Sequence, residues 1–159
     1  MKYDDASWHS GGDFPADSPE ELGGTHIALI LKWCFIKGWA GEVHREDSAD
    51  DLDRMLRGEL SATDYFFMWC DGKFTDEDLN AEGNAFMRAC YHACVSDYER
   101  EFAREMYVVD EAAHDFNRFS EMMETRYRSS TASPPAATEA VRPDKGARSD
   151  GKGPWWKVW

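Results

Sequence analysis

Long apolar runs are missing from this sequence. None approaches the ~20 residues that a membrane-spanning helix requires, so no membrane partner is expected. The first twenty residues are polar and acidic, unlike a secretory signal peptide, and the expected location is the cytoplasm. The signatures of common chemistry are missing too. There is no G-x-S-x-G, no Walker loop and no G-x-G-x-x-G. Gly11-Gly12 and Gly23-Gly24 are too short for a phosphate cradle and lack its lysine or its preceding strand. Neither H-E-x-x-H nor a paired C-x-x-C occurs, which removes the commonest zinc patterns.

Positive charge is scarce and unevenly placed. The 159 residues carry 18 Lys+Arg against 31 Asp+Glu. Residues 1–127 hold 12 against 28, a net of −16, whereas residues 128–159 hold 6 against 3, a net of +3. An acidic body repels phosphate backbones, whose binding depends on Lys and Arg displacing counterions. Nucleic acid is therefore not an expected partner, and anionic membrane surfaces are disfavoured for the same reason. A cationic protein or a metal ion suits such a field, because long-range charge steers opposite-signed partners together. The same charge also serves to keep a protein soluble.

What the chain does have is aromatic mass: seven Trp, nine Phe and six Tyr. These can fill the core of one domain without disulfide staples. Ser18-Pro19-Glu20-Glu21 reads as a helix start, with Ser18 as cap and Glu21 completing a capping box. A helix over 25–37 is apolar nearly all round, which places it centrally. Ser48-Ala49-Asp50-Asp51 and Ser61-Ala62-Thr63-Asp64 open two shorter helices. The longest expected helix runs over 75–106, capped by Thr75, with Asp76, Glu77 and Asp78 in its dipole-matched first turn. A last helix, capped by Asp110, is expected over 111–127. The expected class is mainly α, a single-domain helical bundle over 1–127. It leaves room for a small strand pair involving the N-terminal arm or residues 107–109. Residues 128–153 read as a flexible Ser/Ala/Pro/Gly linker, and 154–159 as a Trp-rich tip.

Candidates for chemistry are few. Asp71 opens an acidic loop with Glu82 at its twelfth position, but Lys73, Thr75 and Asp76 stand at its third, fifth and sixth positions. A calcium loop needs oxygen ligands at two of these and glycine at the last. Cys90 and Cys94 share a helical face, with His92 pointing roughly the opposite way. Together with Cys34 and Cys70 they sit in apolar surroundings, read most simply as buried free thiols. His9, His26 and His44 could converge with an acid in space, although their spacing carries no pattern. Neither a catalytic residue, a cofactor nor a metal ligand is expected. The candidate partner-binding residues are the acids Asp4, Asp5, Glu46, Asp47, Asp50, Asp51, Asp53, Asp76, Glu77 and Asp78, with Trp8, Trp155, Trp156 and Trp159.

Two stretches carry a resemblance. Met1-Lys2-Tyr3-Asp4-Asp5-Ala6-Ser7-Trp8-His9 precedes Gly12-Asp13-Phe14-Pro15, and the central Cys-Asp-Gly-Lys-Phe-Thr-Asp-Glu-Asp-Leu-Asn of residues 70–80 precedes Glu82-Gly83-Asn84-Ala85-Phe86. Together, over roughly residues 1–127, they resemble a family of small bacterial cytosolic proteins described as a domain of unknown function. The resemblance implies accessory proteins of toxin and secretion loci, where small acidic proteins serve as immunity factors. The expected function is thus a non-enzymatic immunity protein that neutralises a basic toxin domain through its acidic surface. One alternative is a small enzyme or metal-binding protein using His9, His26 or His44. Another is an adaptor that offers the Trp-rich tail as a tethered ligand.

Overall fold

Ten of the twelve residues of α1 (Thr25–Ile36) are buried, so this helix is the axis on which the others are laid. A helix this apolar on every side has no solvent face to offer. The computed structural model describes residues 1–11 and 14–132. The remaining helices are α2 (Glu42–Glu46), α3 (Ala49–Leu56), α4 (Ala62–Cys70), α5 (Ala81–Phe102) and α6 (Phe116–Ala132). Strands β1 (Lys2–Asp5) and β2 (Lys73–Thr75) form one antiparallel pair. The mainly-α class and the small strand pair are as the sequence suggests. Among the described residues, no helix is long and apolar enough to cross a membrane.

α1 packs chiefly on α4, and also on α3, α5 and α6. Trp33, Trp39, Phe86 and Tyr127 close one end of the core, with Trp33 and Trp39 edge to face at 5.4 Å. Cys34, Cys70, Cys90 and Cys94 are all buried free thiols, as their apolar context implies.

The structure corrects several expected elements. The expected 75–106 helix is divided. Thr75 and Asp78 do make a capping box, but only for one 3-10 turn, Asp76–Asp78. Leu79 is then extended, because the chain here pairs with another segment. Ala40 bridges Leu79, Gly41 N–H donates to the Asp78 carbonyl at 2.9 Å, and Asn80 N–H donates to the Trp39 carbonyl at 2.8 Å. Asn80 then caps α5 by accepting from Gly83 N–H at 3.0 Å. Long-range backbone bonds thus override the local helical period.

The N-terminal arm is more regular than its sequence suggests. β1 pairs with β2 in the register Asp4↔Phe74 and Asp5↔Lys73, with an irregularity between Lys2 and Asp4. Tyr3, Asp4 and Asp5 are buried in succession, so the alternation that marks a half-exposed strand is lost. Residues 107–109 take no part in the sheet. Ser48 makes no cap with its side chain. Asp110 caps only a 3-10 turn (Glu111–Ala113), and Asp115 receives the first N–H groups of α6. α6 continues to Ala132, past the expected linker boundary at 128.

Asp97 ties α5 to α6. Its carboxylate accepts from Arg100 at 2.6 Å within α5 and from Arg126 Nε at 2.7 Å on α6. Burial opposes its ionisation, but these two guanidinium donors outweigh it and hold the carboxyl below its usual range. A depressed carboxyl pKa stabilises the fold above about pH 4, the unfolded value, and that stabilisation is lost as pH falls through the folded value. Both arginines reach solvent, so the screened contribution is about 1 kcal/mol. Urea midpoints measured from pH 7 to pH 3 are expected to fall less steeply in Arg126→Met than in the parent chain. Parallel curves would show that Asp97 titrates as an ordinary carboxyl.

Candidate functional site

Two buried histidine–carboxylate nodes lie within this scaffold. The first clasps α2 to the turn after β2. His44 Nε2 donates to Asp78 Oδ1 at 2.9 Å, and Nδ1 accepts from the Tyr65 hydroxyl at 2.8 Å. Ser48 Oγ meets that hydroxyl at 2.6 Å, which explains why it does not cap α3. Asp78 Oδ2 takes Thr75 N–H at 2.6 Å. Cys70 Sγ sits 4.0 Å from His44 Nε2, but burial pushes the thiol far above its usual range and keeps it protonated. A nitrogen already committed to Asp78 is no base for this thiol. The node is a closed set of hydrogen bonds.

The second node joins β1, the 3-10 turn Ala6–His9 and the first turn of α1. Asp4 Oδ1 accepts from His9 Nε2 at 2.8 Å and from Asp5 N–H at 2.8 Å, while Oδ2 accepts from the Tyr91 hydroxyl. His9 Nδ1 meets the Tyr107 hydroxyl at 2.8 Å. His26 lies beside them, its ring centroid 4.5 Å from that of His9 and its Nε2 3.7 Å from Asp4 Oδ2. Burial opposes ionisation of Asp4, yet the nearby His26 ring, at 3.7 Å and beyond hydrogen-bond distance, together with the His9 and Tyr91 donors and the Asp5 N–H, outweighs it and holds the carboxyl far below its usual range. Burial lowers the His26 pKa despite the facing carboxylate, so the ring is neutral. Burial likewise raises Tyr107 to about 12.

The buried histidines differ in one respect. His44 has partners at both nitrogens, and so does His114, through the Tyr98 hydroxyl and the Asp110 carbonyl. Among the described residues, neither nitrogen of His26 has a hydrogen-bond partner.

The surface forms two further features. A cleft of ≈ 600 Å³ has Leu60, Phe67 and Met68 on its apolar side and Glu20, Glu21 and Asp64 among its polar lining. Met68 is 58% exposed. A second cleft, of ≈ 460 Å³, is lined by Glu46, Asp47, Asp50 and Asp51 of the α2–α3 region and by Trp69 of α4. The Trp69 indole donates to Asp51 at 3.2 Å.

A family model described as a domain of unknown function (DUF7832) matches residues 2–128. The chain belongs to that family. No curated protein and no solved structure matches it. The matched span contains both histidine nodes and both clefts.

The expected partner-binding residues are sorted by this structure. Asp4, Asp5 and Asp78 are 5%, 7% and 5% exposed, and so are not surface acids. Each is inside because it receives hydrogen bonds there: from His9 and Tyr91, from Lys2 and Ser7, and from His44 and Thr75. Asp76 is half-buried and lies 3.6 Å from Arg88. Glu46, Asp47, Asp50, Asp53 and Glu77 are exposed, and Asp51 is half-buried. Trp8 is exposed, with the Lys2 ammonium 4.4 Å from its ring centroid. Trp155, Trp156 and Trp159 lie outside the described residues. Of the three histidines that could have converged, His9 and His26 meet and His44 stands apart in its own node.

The Leu60–Phe67–Met68 cleft was not among the expected sites. Its signal was present in Tyr65-Phe66-Phe67-Met68-Trp69, five large apolar residues in succession. No helix in a globular fold buries five consecutive positions against a single neighbour. Tyr91 and Tyr107, which hold the Asp4–His9 pair, had no sequence signal.

Proposed function

We propose that this chain is a non-enzymatic protein-binding module that captures a basic partner on its acidic, partly apolar face. The partner is a toxin domain, which makes the chain an immunity protein. The observation that supports this most is the cleft beside α4. An exposed Met and a half-exposed Phe there share one concavity with Glu20, Glu21 and Asp64. Apolar anchors of this kind supply affinity in protein interfaces, and the surrounding charges select the sign of the partner. The net charge of −16 over residues 1–127 draws cations towards the molecule, and Glu20, Glu21 and Asp64 place part of that charge on this cleft. A basic amphipathic helix would place its apolar stripe on Phe67 and Met68 and its Lys or Arg on the rim.

The test is co-expression with a toxin domain encoded beside this chain. Protection of the host and a stable complex that weakens as salt rises are the expected results. Met68→Ala is expected to lower the affinity by about 2 kcal/mol, roughly 30-fold, with an unchanged melting temperature. A toxin that remains active and unbound at low salt would remove the reading. An unaltered affinity in Met68→Ala would remove this cleft from it.

A further inference from the structure

We propose that Asp4, His9 and His26 form a binding site for a divalent transition-metal ion. This goes beyond the capture of a protein partner, and it rests on a different part of the molecule. One carboxylate oxygen and one ring nitrogen from each histidine lie within 4.8 Å of one another. The measured separations are 2.8 Å from His9 Nε2 to Asp4 Oδ1 and 3.7 Å from His26 Nε2 to Asp4 Oδ2. Around a tetrahedral ion with bonds of about 2.0–2.2 Å, donor atoms stand about 3.4 Å apart. One value is shorter and the other longer than that distance, and they involve the two different oxygens of the carboxylate, so closing on an ion would take a turn of the Asp4 carboxylate and side-chain shifts of up to about 1 Å.

The donor chemistry points the same way. Two imidazoles and one carboxylate are a set used for zinc with an open fourth position, and for non-haem iron. Neutral imidazole is the ligand form of histidine. A buried imidazole with both nitrogens unpaired is unfavourable, and a hydrogen-bonded clasp of Asp4 and His9 has no need of it. The other two buried histidines of this fold are fully partnered. An ion shared by His26, His9 and Asp4 would turn the orphaned lone pair into a bond.

The outer partners fit as well. A metal-bound histidine usually donates its other N–H to an oxygen that fixes its tautomer and orientation. With His9 Nε2 on the ion, its proton moves to Nδ1, where the Tyr107 hydroxyl stands at 2.8 Å as acceptor. Tyr107 has a φ of 62°, a left-handed conformation that a bulky aromatic residue rarely takes and that aims this hydroxyl at the ring. The Tyr91 hydroxyl holds the second oxygen of Asp4. The His9 side chain is 20% exposed, so it forms the outer wall through which an ion would enter.

The test uses the full chain, freed of metal by a chelator and titrated with Zn²⁺ in a calorimeter. Co²⁺ serves as a visible-absorption reporter of coordination. One ion per chain is expected. His9→Gln and Asp4→Asn should each weaken binding by more than about 100-fold, and Tyr107→Phe by about 10- to 100-fold. His92→Gln, at an exposed position of α5, should leave it unchanged. His9→Gln is the deciding variant, because a half-buried position at the node's rim tolerates the change better than His26 does. No stoichiometric uptake by the parent chain would overturn the site. So would uptake that is equal in parent and in a folded His9→Gln.

Discussion

Gly41→Ala is expected to destabilise the fold by more than about 3 kcal/mol, the upper range for overpacking a tight interior. Its melting temperature should fall by roughly 10 °C. The reason is steric alone, since Gly41 has an ordinary extended backbone, with φ −67° and ψ 171°. A Cβ built there would stand 2.2 Å from the Glu77 carbonyl oxygen, 3.0 Å from the Asp78 carbonyl carbon and 3.1 Å from the Leu79 nitrogen. All three are backbone atoms, so no rotamer change can relieve the contact. The two segments would have to part, and with them the hydrogen bond from Gly41 N–H to the Asp78 carbonyl. Gly38→Ala supplies the contrast. Its φ is +78° with open space around it, so it should cost only the left-handed penalty of about 1–2 kcal/mol. Urea denaturation of both variants measures the difference. Equal midpoints would mean that residues 41 and 77–79 do not approach as closely as described.

Asp78→Ala is expected to cost about 3–5 kcal/mol, the effect of removing one partner from a buried polar network. The change leaves His44 Nε2–H and Thr75 N–H in the interior without an acceptor. Asp78→Asn keeps one acceptor oxygen and should fall between the two. Asp50→Ala and Asp53→Ala, on the exposed side of α3, should stay within about 0.5 kcal/mol of the parent. The ordering is readable from urea midpoints. If Asp78→Ala behaved like Asp50→Ala, Asp78 would be a surface acid after all, available to a partner.

This ordering shows where the sequence is informative. α1 is legible because an all-round apolar segment has only one place to go. Ser61 and Asn80 are each in position to cap, and both do so by accepting an N–H within the next turn. The local pattern fails where the deciding partner is distant in the chain. Leu79 follows a good helix start, yet Ala40 and Trp39 draw it into an extended conformation. Asp4 and Asp78 look like surface charge, because nothing nearby in sequence announces the His, Tyr and Thr groups that satisfy them. His9 and His26 meet only because a 3-10 turn follows β1 directly and folds the arm over the start of α1. Apolar periodicity carries no information about such a meeting.

The strand pair has a consequence for the order of assembly. β1 is hydrogen-bonded to residues some seventy positions later, and Asp4 reaches Tyr91 still further along. Contacts of such long sequence separation must overcome the entropy of closing the whole intervening loop, and they form late. The helices between, α1 to α4, can pack first through nearer neighbours. The first nine residues then dock as a unit, bringing Asp4 and His9 to a His26 that is already in place. The same arm is the natural first segment to detach in native-state opening, because it is a short chain end held by one edge strand pairing and a few side-chain bonds that release together. The histidine–carboxylate node is therefore complete only in the finished fold, and its ligands part company as soon as the arm lifts.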